Sequence, residues 1–228
     1  MVLPPWSSWA VWFGLTAAAQ KVNPVYHPVA WGGKALSLCV TGLLLYGLKW
    51  VTPAEAGLRR PQPGTGWGVA LVVGAVAAAL FVDAYFARHA FPLLWWHERL
   101  YIAAIPGLDE ELFYRGALLG LLSRVFPRKV PLPGTRTSWG GLAGVLLFTL
   151  GHNVKFTSLS LLLHDAWRLL AHGYGWLLIR SFFSGAMLSQ LAMGTLFLWV
   201  RERTASVWAA VAAHCVMNGV LAIGHALP

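Results

Sequence analysis

The chain has little charge and almost no acid. Charged residues make up 11% of its 228 residues, and only eight of them are Asp or Glu. Soluble domains carry about 25% charged residues, so a water-soluble globular class is excluded, and so is a disordered, charge-rich one. Cysteine is nearly absent, at two. Cys39 and Cys215 both fall in apolar runs, which excludes a disulfide scaffold and a CxxC metal pattern and suggests two small buried residues. The sequence has no P-loop or GxGxxG phosphate-binding pattern, no repeat at a fixed period and no low-complexity linker.

Apolar residues are plentiful. They reach 57% of the chain, with a mean hydropathy of +0.61. Backbone satisfaction in lipid permits only helices or closed barrels, and a crossing helix needs about 20 residues. The apolar runs predict spans near Trp6–Ala19, Ala35–Val51, Trp67–Phe86, Tyr101–Phe126, Trp139–Asn153, Phe182–Val200 and Ala205–Leu227. The expected fold class is an all-α, polytopic membrane helix bundle of about seven to eight transmembrane helices. It forms a single integral membrane domain, with residues 1–100 as N-terminal spans and 101–228 as the core. The first run ends in three alanines but lacks a basic start, so it reads as an uncleaved span rather than a signal peptide. Ala87–Leu100 reads as interfacial. In Phe156–Arg180, His164, Arg168 and His172 share one helix face, and an interfacial helix is expected.

The net charge of +9 would suggest nucleic acid in a soluble protein. Here the basic residues lie mostly between apolar runs, where they suit anionic headgroups and set topology; no nucleic-acid partner is expected. With seven spans, Lys49, Arg59, Arg60, Arg124, Arg128, Lys129, Arg136, Arg201 and Arg203 fall on the N-terminal side and seven other basic residues on the opposite side. That weakly favours a cytoplasmic N-terminus. Many of the 13 tryptophans stand near the ends of apolar runs, as an interfacial belt places them.

Three of the eight acids are consecutive, Asp109-Glu110-Glu111, inside the fourth run. A charge at mid-membrane costs about 2.5–3.5 kcal/mol even on the lenient insertion scale, so such residues pair, line a cavity or do chemistry. Glu111 and Arg115 are four apart and can pair on one helix face, while Glu110 is rotated by about 100° and can face something else. A buried ion cluster that only fixes packing has the same pattern. His152, with Asn153 after it, lies deep in the fifth run. His214 and Asn218 share a face of the last run, where interhelical hydrogen bonding is the plainer explanation. Together these clusters could activate water with a carboxylate and a histidine and hold an oxyanion with a second histidine and an amide.

The run Glu110-Glu111-Leu112-Phe113-Tyr114-Arg115-Gly116 resembles the first motif of the CPBP family, the glutamic-type intramembrane proteases related to the type II CAAX prenyl endopeptidase and the bacterial Abi-like proteins. Phe148 to His152 is similar to the second motif, and Ser206 to His214, ending with Asn218, to the third. The resemblance covers about residues 100 to 220. It implies Glu110 as the general base, His152 as a partner that holds the water, His214 and Asn218 as the oxyanion hole, and Glu111 with Arg115 as structural support. Tyr114 stands where Phe is usual, which keeps the aromatic. The implied function is an intramembrane endopeptidase cleaving a membrane-associated protein or peptide, with a C-terminal lipidated or sorting segment as one option for the cleavage site. It would be multi-pass, in the cell membrane if the source is prokaryotic. The oligomeric state and the substrate are not legible.

Other chemistries fit less well. His97-Glu98-Arg99-Leu100-Tyr101 lacks the second histidine of HExxH. Asp83, Asp109 and Asp165 do not form aspartyl-protease motifs, and Ser184-Gly185 reads as a helix contact. No cofactor is expected. Zinc held by Glu110, His152 and His214 is the minority alternative. A non-enzymatic binding or immunity protein, or a transporter, is the alternative function, although the broken, repeated helices of transporters are missing.

Overall fold

A computed structural model describes residues 31–86, 96–153, 171, 185–224, 226 and 227. The expected span at Trp6–Ala19, most of Phe156–Arg180 and the start of the interfacial stretch at 87–95 lie outside the described residues. The chain divides into two compact units, one of Ser37–Gly144 with Leu196–Pro228 and the other of Met1–Leu36 with Val145–Thr195.

The described chain is mostly helical. Helix α1 is Trp31–Gly42, followed by a wide π turn over Leu43–Gly47. Helix α2 is Gly66–Phe86. Helix α3, Trp96–Glu111, runs on through a π segment, Leu112–Leu118, into a last turn, α4, Leu119–Leu122. A hairpin follows, β1 Val130–Leu132 and β2 Thr135–Thr137. Then come α5 Trp139–Asn153, α6 Gly185–Thr204 and α7 Val207–Gly224. Among the described residues, α2 and α7 are long and apolar enough to cross a membrane, and residues 34–47 and 139–152 form shorter apolar helices.

The structure corrects three local expectations. The second run stops being helical after Gly47, because Lys49 takes a left-handed backbone conformation at φ 53°. Val51 then turns inward and packs with Leu45, Ala56 and Ala117. The basic stretch after α4 is an antiparallel hairpin rather than a loop, pairing Val130 with Thr137 and Leu132 with Thr135. Pro133 and Gly134 form its turn, and Gly134 supplies the positive φ of 67° that such a turn needs. Cys39 is exposed and Cys215 half-buried; both are free thiols.

In the larger unit, α7 is the central element and packs on both α3 and α2. Small residues permit the approach. A Cβ at Gly107 would lie 2.7 Å from Cys215 Sγ and 3.4 Å from His214 Cβ. Apolar side chains elsewhere face outward: Trp67 is 86% exposed, Phe86 76% and Leu71 73%. In water that surface would be a large hydrophobic cost; in lipid it is the ordinary exterior.

One end of this unit is stitched by the 48–65 loop. Arg59 Nε donates to Ala205 O at 2.8 Å and Gln62 N–H to Thr204 O at 2.9 Å. Val207 N–H donates to Gly57 O at 2.9 Å. Glu55 accepts two hydrogen bonds from Arg124, at 2.9 and 2.8 Å, and caps Thr52 N–H at 2.8 Å. The hairpin joins the same end: Thr137 Oγ1 donates to Glu202 Oε1 at 3.0 Å and Trp199 Nε1 to Pro133 O at 2.8 Å.

Candidate active site

Glu110 and Glu111 end α3, where the helix is least regular. Pro106 sits inside α3 and has no N–H to donate, so one rung of the ladder is missing a turn earlier. The π segment begins at Leu112. Such wide turns often mark functional positions in helices. Here one brings Tyr114, Arg115 and Gly116 into the core, where all three are buried.

Glu111 is fully buried, with 0% of its surface exposed, and Arg115 is 2% exposed. Arg115 Nη1 donates to Glu111 Oε1 at 3.0 Å. His214 Nδ1 lies 2.9 Å from the same oxygen. An ionised carboxylate only accepts, so the imidazole presents Nδ1–H to it. The other edge, Nε2, then faces away from Glu111, and it carries a proton only when the ring is an imidazolium. Glu111 thus bridges α3, the π segment and α7.

Phe197, from α6, completes this cluster. Its ring stacks on the His214 imidazole at 4.4 Å with 12° between planes. Arg115 Cζ stands 5.7 Å from the same ring's centroid and 5.8 Å from that of Tyr114. Both are cation–π distances. The buried charge on Arg115 therefore meets the Glu111 carboxylate and two aromatic rings. Its carbonyl, in the π segment, accepts from Arg201 Nε at 3.2 Å. Arg201 also donates to Glu55 O at 3.1 Å and lies so close to Gly57 that a Cβ there would sit 2.3 Å from its guanidinium. Gly57 has φ 70°, so that position needs glycine twice over. A motif search has no reason to find Phe197 or Arg201. Arg201 carries a faint signal, a basic residue directly after an apolar run.

Glu110 is buried at 5% exposure and Asp109 at 0%. Glu110 also acts electrostatically on Arg115. Asn218 is half-buried one turn beyond His214 on α7, and its side chain makes no hydrogen bond to the described residues. The structure therefore brings Glu111, Arg115 and His214 into direct contact, with Glu110 and Asn218 on the two helices that hold them.

His152 lies in the other unit, on the last turn of α5, and is exposed. Its Nδ1 is 2.9 Å from Phe148 O. A carbonyl can only accept, so Nδ1 carries the proton and Nε2 presents a lone pair. The ring also tilts over Phe148 at 4.3 Å and 43°. Phe148 itself is buried, so the spacing Phe-x-x-x-His acts locally to fix the tautomer and plane of His152. Among the described residues, no third His, Cys, Asp or Glu joins Glu111 and His214 in a ligand set.

Residues 91–220 match the model of a protein family described as type II CAAX prenyl endopeptidase Rce1-like. That is more than half of the 228-residue chain. The matched region contains the Glu110–Arg115 run, His152, Phe197, His214 and Asn218. No curated protein and no solved structure matches the chain.

Proposed function

Because this chain belongs to the type II CAAX prenyl endopeptidase Rce1-like family, a family of membrane-embedded proteases that act on membrane-associated proteins, we propose that it is a glutamic-type, multi-pass intramembrane endopeptidase. The observation that carries the reading is the 2.9 Å contact between His214 and Glu111. It ties the motif on α3 to the motif on α7, two segments 103 residues apart.

In this reading Glu110 takes a proton from water, and His152 has the role that the family's second motif implies, helping to hold that water. The hydroxide attacks the peptide carbonyl. His214 Nε2–H and the Asn218 amide then donate to the oxygen that becomes negative. Collapse of the tetrahedral species passes the Glu110 proton to the leaving amine and releases a carboxylate and an amine.

Charge balance supports this division of labour. Glu111 and Arg115 cancel. Glu110 as an anion and His214 as an imidazolium are the working forms of base and electrophile, and their opposite charges offset one another in a low-dielectric interior. Glu111 accepts from Nδ1–H and so fixes the orientation of the ring. The substrate is a membrane-anchored protein or peptide, with a prenylated C-terminus or an anchoring helix near the scissile bond. No metal is needed for any of these steps.

The test is steady-state hydrolysis by His214→Ala and Asn218→Ala in the bilayer-reconstituted full chain. Removing one oxyanion donor costs about 10²–10³ in kcat, so each variant should lose turnover with KM nearly unchanged. A variant that raised KM and kept kcat would place its side chain in substrate binding and remove it from the oxyanion hole.

A further inference from the structure

Six segment ends meet at one end of the larger unit: the residues after α1, the start of α2, the end of α4, the hairpin with the start of α5, the end of α6 and the start of α7. The hydrogen bonds from Arg59, Gln62, Gly57, Glu55 and Thr137 described above hold them together. Among the described residues of this unit, the basic residues gather at this end. Lys49, Arg59, Arg60, Arg124, Arg128, Lys129, Arg136, Arg201 and Arg203 stand here against two acids, Glu55 and Glu202. Among the described residues of this unit, the opposite helix ends, where Gly224 approaches Ala84, carry Asp83, Glu98 and Arg99.

Several of the nine cations are committed internally. Arg124 is spent on Glu55 and Arg128 on Glu202, at 2.8 and 3.3 Å. Arg203 donates to Gly134 O, and Arg201 is buried. Arg60, Lys129 and Arg136 are exposed and have no partner among the described residues. Large aromatics flank them with their rings outward: Trp67 at 86% exposure, Trp139 at 66% and Trp50 at 54%. Trp67 and Trp139 lie in the first turns of α2 and α5, and Trp50 is in the loop three residues past the π turn. Amphipathic rings at that level, with cations just beyond, are what the headgroup boundary of a bilayer selects.

We propose that this end of the unit is a docking face for anionic lipid headgroups, with Arg60, Lys129 and Arg136 as the phosphate-contacting cations and Trp50, Trp67 and Trp139 marking the boundary with the acyl chains. The face has a consequence for the buried cluster. His214 is seven residues into α7, about 10 Å along the axis from Val207 at 1.5 Å per residue. Arg201 links Arg115 O directly to Glu55 O in the basic loop. The Glu111–His214 cluster therefore lies shallowly beneath the headgroup layer of this leaflet.

The experiment is lipid retention by the full chain in mixed micelles of phosphatidylglycerol and phosphatidylcholine, counted by native mass spectrometry. The wild type should retain phosphatidylglycerol preferentially, and salt should weaken the preference. Each of Arg60→Gln, Lys129→Gln and Arg136→Gln should lower the preference about fivefold, and the triple variant about a hundredfold. Arg99→Gln, at the opposite end, should leave it unchanged. The single variants suffice if the triple variant does not fold. Equal retention of the two lipids, or a triple variant that behaves as wild type, overturns the proposal. Displacement of the lipid by millimolar glycerol phosphate would reveal a soluble-anion site and overturn it too. So would tighter binding of a soluble polyglutamate peptide than of phosphatidylglycerol, which would make the face protein-directed.

Discussion

A carboxylate that holds both Arg115 and His214 through one oxygen anchors its surroundings, whereas a base must be able to leave its partners. This separates two adjacent glutamates whose side chains are chemically identical. Glu111→Gln leaves the Arg115 guanidinium buried without its counter-charge, and breaking such a pair costs about 3–5 kcal/mol. We expect this variant to lose thermal stability in detergent as well as activity, whereas Glu110→Gln should keep its melting temperature within a few degrees. Phe197 belongs to the same scale. Its stacked ring fixes the plane in which His214 can donate, so Phe197→Leu should lower kcat more than it changes KM. Phe197→Tyr should restore most of the loss. In a His214→Ala background Phe197→Leu should have little further effect on turnover. A full additional loss there would make Phe197 a packing residue alone.

At the scale of elements, the basic loop holds α4, α6 and α7 at one end, and Glu55 is its electrostatic pin. Hydrogen bonds from Arg124, then from the Thr52 N–H and hydroxyl, hold the Glu55 carboxyl down at about 2, against an ordinary value of 4.5. A depressed carboxyl contributes stability that is complete above its unfolded value and is lost as pH falls through its folded value. The contribution should therefore be constant at neutral pH and disappear between about pH 4.5 and 2. The side chain is partly solvated, so salt should reduce it. A thermal-melt series across that window should show a steeper acid loss for wild type than for Glu55→Gln; parallel curves would mean the pin holds nothing.

Several elements were legible in the sequence because one signal dominated each. The run at Trp139–Asn153 is helical over the expected residues, and the third run begins one residue earlier than expected, at Gly66. Other features depended on contacts that no local pattern encodes. Helix α1 ends where Val51 finds Ala56 and Ala117. The charges and prolines of the hairpin read as a loop, yet the Thr137–Glu202 hydrogen bond ties it to α6. The π segment leaves no mark in the apolar pattern. Arg201, far along the chain, donates to its backbone at Arg115 O. The Glu111–Arg115 spacing was visible at once, because four residues on a helix define a face. The contact of Glu111 with His214 required the packing of α7 on α3, with Gly107 allowing the close approach.

For the whole molecule, a family match over residues 91–220 and a buried Glu–Arg–His cluster support the proposal that the chain hydrolyses peptide bonds in or at the membrane with Glu110 as the base. The most direct measurement uses the reconstituted full chain, in the presence of a metal chelator, with a farnesylated C-terminal peptide and a membrane-spanning peptide as substrates. Products are identified by mass spectrometry in water enriched in heavy oxygen. The wild type should cleave at least one substrate and leave one heavy oxygen in the new carboxylate, and folded Glu110→Gln should show no cleavage above background. Full activity in Glu110→Gln, or cleavage that stops when metal is removed, would contradict the proposal.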